Sequence, residues 1–414
     1  MVGNGSKLPV LRGAIKKNCY FCTKQLINKM VSSKIPTSKK NAFTTILGIA
    51  EEVHAIDLAV PMSNLVCPEK LIDLVSKNMR LGNNDYSPAE GVDHLREQII
   101  NHVNQQNKSS FSAETEITIT AGPAQAMTTA ISTFVKEGDE VVIFEPIQES
   151  YAPFIELNGG RPIFVNLKMP DFRIDWDEVK KLVTSKTKMI IINNPQNPIG
   201  RIFNSEDIDQ LKRMVNGTKL VILSNEVFDH IVFDNLKFNS LASIPELASK
   251  SLIVSSFGPI FNITGWGIGY IFGPEKLMSE FRKIQQFQGF SVNTPAQFAL
   301  GEFLQDGPDF EAICETYHVK RDLFISLLEG SNFDLVPTNS TFYQILDYSK
   351  ISDETDVDFA TRLILEYGVA TVPFSAFQHE KTKNQLIRIC FAKPNDILEK
   401  AAKILKSVPI ISKH

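Results

Sequence analysis

No apolar run in this 414-residue chain approaches the roughly 18 residues that a membrane-spanning helix needs, so no such helix is expected. Cysteine is scarce: five in the whole chain, Cys19, Cys22, Cys67, Cys314 and Cys390. That is too few for a disulfide framework and suits a reducing compartment, with the cytoplasm as the expected location. Cys19 and Cys22 have CxxC spacing, but no second CxxC and no paired histidines follow, so no zinc site is expected and the two thiols read as incidental. Acidic residues are missing from the first 50 positions, where Lys7, Arg12, Lys16, Lys17, Lys24, Lys29, Lys34, Lys39 and Lys40 all carry positive charge. A targeting peptide is basic and acid-poor in this way, but this one has a single arginine and lacks the apolar core of a secretory signal. The reading preferred is a solvated basic arm over 1–41, with organelle targeting as the alternative. Strong net charge is also absent. At −4, with an isoelectric point near 6.0, the chain carries no signal for nucleic acid.

What the chain does have is strand–helix alternation. Apolar or alternating runs at 116–120, 140–144, 164–167, 189–193, 220–223 and 252–254 read as strands, with amphipathic or helix-start patterns between them. Such alternation argues for an α/β fold with a mostly parallel sheet. Ala121-Gly122-Pro123-Ala124 opens a helix after a strand, with proline in a favoured first-turn position. Free amides and the helix dipole make such a turn a natural phosphate site, though Pro123 removes one amide and Ala124 brings no hydroxyl. Arg388 is a lone charge in the apolar strand 387–392, which calls for a partner: a bound carboxylate, or a local acid on an edge strand.

The organising stretch is Ser255-Ser256-Phe257-Gly258-Pro259-Ile260-Phe261-Asn262-Ile263-Thr264-Gly265-Trp266-Gly267-Ile268-Gly269-Tyr270. It resembles the cofactor-lysine segment of class I, fold-type I aminotransferases, S-x-G-K-T-F/Y-x-x-T-G-W-K/R-x-G-Y, which use pyridoxal phosphate. Asn193-Asn194-Pro195-Gln196-Asn197-Pro198-Ile199-Gly200 resembles that family's N-x-P-x-N-P-x-G turn, and 290–297 and 372–377 match further segments. The similarity runs in order from Ala42 onward and is nearest to the methionine and kynurenine aminotransferase branch.

The resemblance implies a fold-type I aminotransferase architecture. A large domain at 66–308 would carry the mostly parallel sheet, and a smaller α/β domain would combine 42–65 with 309–414. It implies a homodimer, with Tyr86 reaching the neighbouring subunit's cofactor phosphate. It implies that Arg388 grips a substrate carboxylate and that Asn197 contacts both the cofactor ring oxygen and that carboxylate. It also marks departures. Pro259 stands at the Schiff-base lysine position and Gly267 at the phosphate-binding Lys/Arg. Asn225 replaces the aspartate on the ring nitrogen, and Phe228 the tyrosine on the ring oxygen. Gln148 replaces the aromatic on the ring face, and Pro61 a glycine beside the substrate carboxylate. Ser256 is retained.

A lysine amine is needed both to hold the cofactor and to shuttle a proton. The expectation is therefore an aminotransferase-fold pseudoenzyme without a cofactor, binding a small amino or keto acid or a protein partner. Two alternatives stand beside it: an active transaminase of methionine or kynurenine type that uses pyridoxal phosphate and another lysine, and an enzyme that uses the old cleft without the cofactor.

Overall fold

The computed structural model describes residues 42–60, 65–147, 150–379 and 384–411. The basic arm, Cys19, Cys22, Pro61 and Gln148 lie outside them. Residues Asn41–His414 form one compact unit by their contacts.

Its centre is a seven-stranded sheet. The elements that matter for the site are, in chain order, α1 (Asp93–Asn107), β1 (Ile117–Thr120), α2 (Gly122–Phe134), β2 (Glu140–Glu145), β3 (Arg161–Asn166), β4 (Thr187–Asn193), β5 (Val221–Asn225), β6 (Ser251–Ser256) and β7 (Gly269–Phe272). The spatial order is β1-β7-β6-β5-β4-β2-β3. β7 runs antiparallel to both neighbours, and the pairs from β6 to β3 are parallel. Parallel strands covered on both faces read as continuous apolar runs; β5 and β6 are buried throughout, and β4 at every position but Lys188. Alternate residues serve two separate cores. Ile190, Ile192, Ile222 and Ile253 join one; Met189, Ile191, Leu223, Leu252 and Val254 join the other, under Ala126, Met127, Ala130 and Ile131 of α2. Fully burying each such side chain stabilises the fold by about 1.5–3 kcal/mol.

A second, antiparallel sheet places Arg388. The long helix α3 (Phe310–Leu328) leads back to it and starts two residues after Pro308, because the Asp309 side chain caps the Ala312 amide at 2.9 Å. Strand β8 (Tyr343–Asp347) then pairs with β9 (Leu386–Cys390), putting Ile345 opposite Arg388. Among the described residues no helix is long and apolar enough to cross a membrane.

Candidate functional site

Sheet register brings the expected segments together. Asn193 at the end of β4 pairs with Asn225 at the end of β5, and Asn225 pairs with Val254 in β6. Ser256, two residues on, pairs with Gly269 at the start of β7. Gly269 lies against Gly122 and Pro123: a Cβ built on it would fall 2.7 Å from the Gly122 carbonyl carbon and the Pro123 nitrogen. Three parallel strands thus deliver their carboxyl ends to one edge, where α/β sheets place ligands, and the α2 turn joins them.

Arg388 is 2% exposed. Its Nη2 donates to the Ala59 carbonyl at 2.9 Å and its Nη1 to Asn197 Oδ1 at 3.3 Å. The guanidinium lies over the rings of Tyr343, 4.2 Å from the centroid, and Phe377, 4.9 Å. Burial pulls its pKa below the usual arginine value, although arginine stays protonated in proteins. Asn197 is itself positioned: its amide donates to Asn193 Oδ1 at 3.0 Å. The turn closes on Gly200 at φ +68°, where a Cβ would sit 1.8 Å from Thr338 Oγ1. Only glycine fits there.

The departing residues have taken other partners. Asn225 Nδ2 donates to the Tyr151 hydroxyl at 2.7 Å. Burial pushes the Tyr151 pKa up to about 12, against the bonds from Asn225 and Asn193. Phe228 packs edge-on to Phe342 and Tyr343, with centroids 5.1 and 5.8 Å away, so it reaches the ring under Arg388 by packing alone. Ser256 Oγ donates to the Ile268 carbonyl at 2.9 Å and accepts from the Gly258 amide at 3.0 Å. Pro259 is buried in a short helix, and its carbonyl accepts from the Tyr317 hydroxyl at 2.8 Å. Gly267, at φ +63°, has open space where a Cβ would stand. Ala124 is exposed. Tyr86 is 81% exposed and meets Phe290 edge-on at 5.1 Å. Sequence reading missed Tyr151, Tyr317, Tyr343 and Phe377. The only sequence signal for them is an aromatic residue, on a helix for Tyr151 and Tyr317 and in or beside a strand for Tyr343 and Phe377, which core packing produces equally well.

The chain matches the family of class I and II aminotransferases over residues 61–405. It belongs to that family. It is 35% identical to a methionine aminotransferase of Escherichia coli, over 91% of this chain and 98% of the relative. It is 29% identical to a kynurenine–oxoglutarate transaminase of Dictyostelium discoideum, over 85% of this chain and 90% of that protein. Among solved structures, an E. coli protein identified as having a methionine aminotransferase function superposes with a TM-score of 0.88 at 35% identity, covering 90% of this chain and 98% of the other. The N-succinyldiaminopimelate aminotransferase of Mycobacterium tuberculosis gives 0.87 at 27%, covering 91% and 99%. The fold-type I architecture expected from the sequence is the one observed.

This membership corrects one expectation. A chain so similar to methionine, aspartate and N-succinyldiaminopimelate aminotransferases points to pyridoxal phosphate as its cofactor, not to none. The comparisons likewise favour the transaminase alternative over the pseudoenzyme. The residues present do not fit covalent attachment at the family position. Pro259 offers no side-chain amine there, and its nitrogen is spent in the peptide bond. Asn225 presents an amide, already engaged by Tyr151, where a carboxylate would hold a protonated ring nitrogen. No catalytic step is therefore derived through the cofactor.

Proposed function

We propose that the protein recognises a small amino acid or 2-oxo acid of the methionine or kynurenine class, with pyridoxal phosphate as a dissociable cofactor that is not bonded to the chain at position 259. The observation that carries this reading is the Arg388 site. A buried guanidinium is fixed by Ala59 and Asn197 and lies over two aromatic rings. A guanidinium is the side chain best shaped to take a carboxylate in a bidentate way. The cofactor, when bound, supplies an electron sink. The chain's own residues orient: Arg388 and Asn197 take the carboxylate end, and Tyr343 and Phe377 exclude water from one side of it. We further place the domain boundary at 66–308 against 42–65 plus 309–414, in a homodimer to which the exposed Tyr86 contributes, located in the cytoplasm. Cys67, Cys314 and Cys390 carry free thiols, which supports a reducing location.

Calorimetry with methionine, kynurenine and their 2-oxo acids tests the carboxylate site, and borohydride reduction followed by peptide mass spectrometry tests the attachment. Millimolar or tighter binding that is lost in Arg388→Ala, with pyridoxal phosphate removable by dialysis and no reduced lysine adduct, is the expected result. Binding unchanged in Arg388→Ala sinks the carboxylate assignment. A specific lysine adduct together with steady methionine transamination would establish the second reading, an active transaminase served by another lysine. The 35% identity to a methionine aminotransferase favours that reading.

A further inference from the structure

Neighbouring residues on a strand point to opposite faces of a sheet. Asn225 turns toward Tyr151, so Glu226 turns the other way, toward Ser224 and Leu241. On that far side lies a cavity of about 890 Å³, within the range of small-ligand sites. Its deep wall is Glu226, Asp229, His230, Ser255 and Tyr270, joined by His102 from α1. Arg388, Asn197, Asn225 and Pro259 do not line it.

The deep wall holds two carboxyl groups and, among the described residues, no buried lysine or arginine paired with them. Glu226 is 1% exposed, and its Oε1 accepts from Ser224 Oγ at 2.9 Å and the Leu241 amide at 3.2 Å. Asp229 Oδ1 accepts from the His230 amide at 3.0 Å. Among the ion pairs of the described residues, Asp229 appears only with the His230 ring, at 3.9 Å, and Glu226 in none. Burial pushes both acids up to about 7 and both imidazoles down to about 4. The histidines are thus neutral near pH 7 and supply no counter-charge.

They form an aromatic wall instead. His102 and His230 approach at 3.4 Å between their Nε2 atoms, and the Phe310 ring lies 4.7 and 4.2 Å from them. Lys108, Lys237, Asp209 and Glu311 complete the charged lining, all exposed and balanced in sign. No group of three or more metal-ligating side chains occurs among the described residues, so the missing charge is not a metal's by this geometry.

We propose that this cavity is a second ligand site, separate from the Arg388 site, which takes a small organic ammonium: a primary amine on an apolar or aromatic stem. The ammonium sits against Glu226 and Asp229, where an opposite charge stabilises the ionised carboxylates. The stem lies along Phe310 and the imidazoles, whose faces favour a cation and an apolar body alike.

The test is calorimetry on the full-length protein with phenethylamine, its neutral counterpart 2-phenylethanol and the anion 3-phenylpropionate. Pyridoxal phosphate is left out because its aldehyde reacts with free amines. The amine should bind at least ten-fold more tightly than the alcohol. Its affinity should fall at least ten-fold in Glu226→Gln and in Asp229→Asn, and hold within two-fold in Arg388→Ala. Equal affinity for amine and alcohol in the unaltered protein overturns the proposal without recourse to any variant. So does full amine binding in a folded Glu226→Gln. Loss of the amine in Arg388→Ala would assign it to the first site and also overturn the proposal, whereas loss of carboxylate binding alone in that variant leaves it standing.

Discussion

Replacing Glu226 by glutamine should make the protein more stable in mild alkali. The carboxyl is buried just past the end of β5, and burial raises its pKa from 4.5 to about 7, with the Asp229 charge adding a smaller push. A raised acid pKa means that the folded state binds the proton more tightly than the unfolded chain does. The associated stability is full below pH 4.5, erodes as the pH rises, and is lost above about 7. At about 1.36 kcal/mol for each unit of pH, a carboxyl raised from 4.5 to about 7 amounts to about 3 kcal/mol at pH 8. Glutamine keeps the oxygen that accepts from Ser224 and Leu241 and carries no charge to desolvate. Urea unfolding at pH 8 should therefore show the variant more stable by about 3 kcal/mol, and the gap should shrink below about 1 kcal/mol at pH 4.5. A variant that is less stable at pH 8, or a difference that does not change with pH, would refute the reasoning. It would mean that the native carboxylate is held by a cation or water network strong enough to offset its burial.

Arg388→Ala should weaken 2-oxo acid binding by about a hundred-fold or more, the loss of two charge-assisted hydrogen bonds at about 1.5–3 kcal/mol each, and Arg388→Lys should recover little of it because an ammonium cannot reproduce the planar fork; calorimetry reads both. Pro259→Lys alone should give negligible transamination of methionine, since Asn225, Phe228 and Gly267 still lack the charges and hydroxyl that the resemblance assigns there; appreciable turnover in a coupled assay would show that those positions matter less than Pro259. Gly200→Ala should cost more than about 2 kcal/mol in urea unfolding, combining a strained positive φ with a Cβ 1.8 Å from Thr338 Oγ1. Tyr317→Phe should cost about 1 kcal/mol, the typical net value of the hydrogen bond it gives the Pro259 carbonyl at 2.8 Å.

Much of the fold was legible because its signals are local. The apolar run before Ser255 is a buried strand, and the Gly122-Pro123 step does open a helix. Arg388, alone in an apolar strand, is buried. Its described hydrogen-bond partners are an asparagine oxygen and a backbone carbonyl. The helix after Pro308 begins at Phe310, where the Asp309 side chain caps the first turn. What the sequence withheld is tertiary. Nothing at Asn225 names Tyr151, some 74 positions earlier, as its partner. Nothing at Arg388 announces the Tyr343 ring beneath it, because that contact depends on strand register. The cofactor expectation failed for another reason. Each substituted anchor reports on one contact, while the similarity of the whole chain to aminotransferases reports on the frame around them.

The alternation along β5 means that a single backbone separates two chemically opposed rooms. Asn225 opens onto one and Glu226 onto the other, with nothing between them but a peptide plane. Losing one residue from this strand would exchange their contents. The glutamate would be delivered where the family keeps a carboxylate, and the neutral amide would go to the acid-walled chamber behind. Five rows of interstrand pairing with β4, from Met189–Val221 to Asn193–Asn225, hold the strand against such a slip. The identity of both rooms is thus written less in their side chains than in the count of residues that precede them.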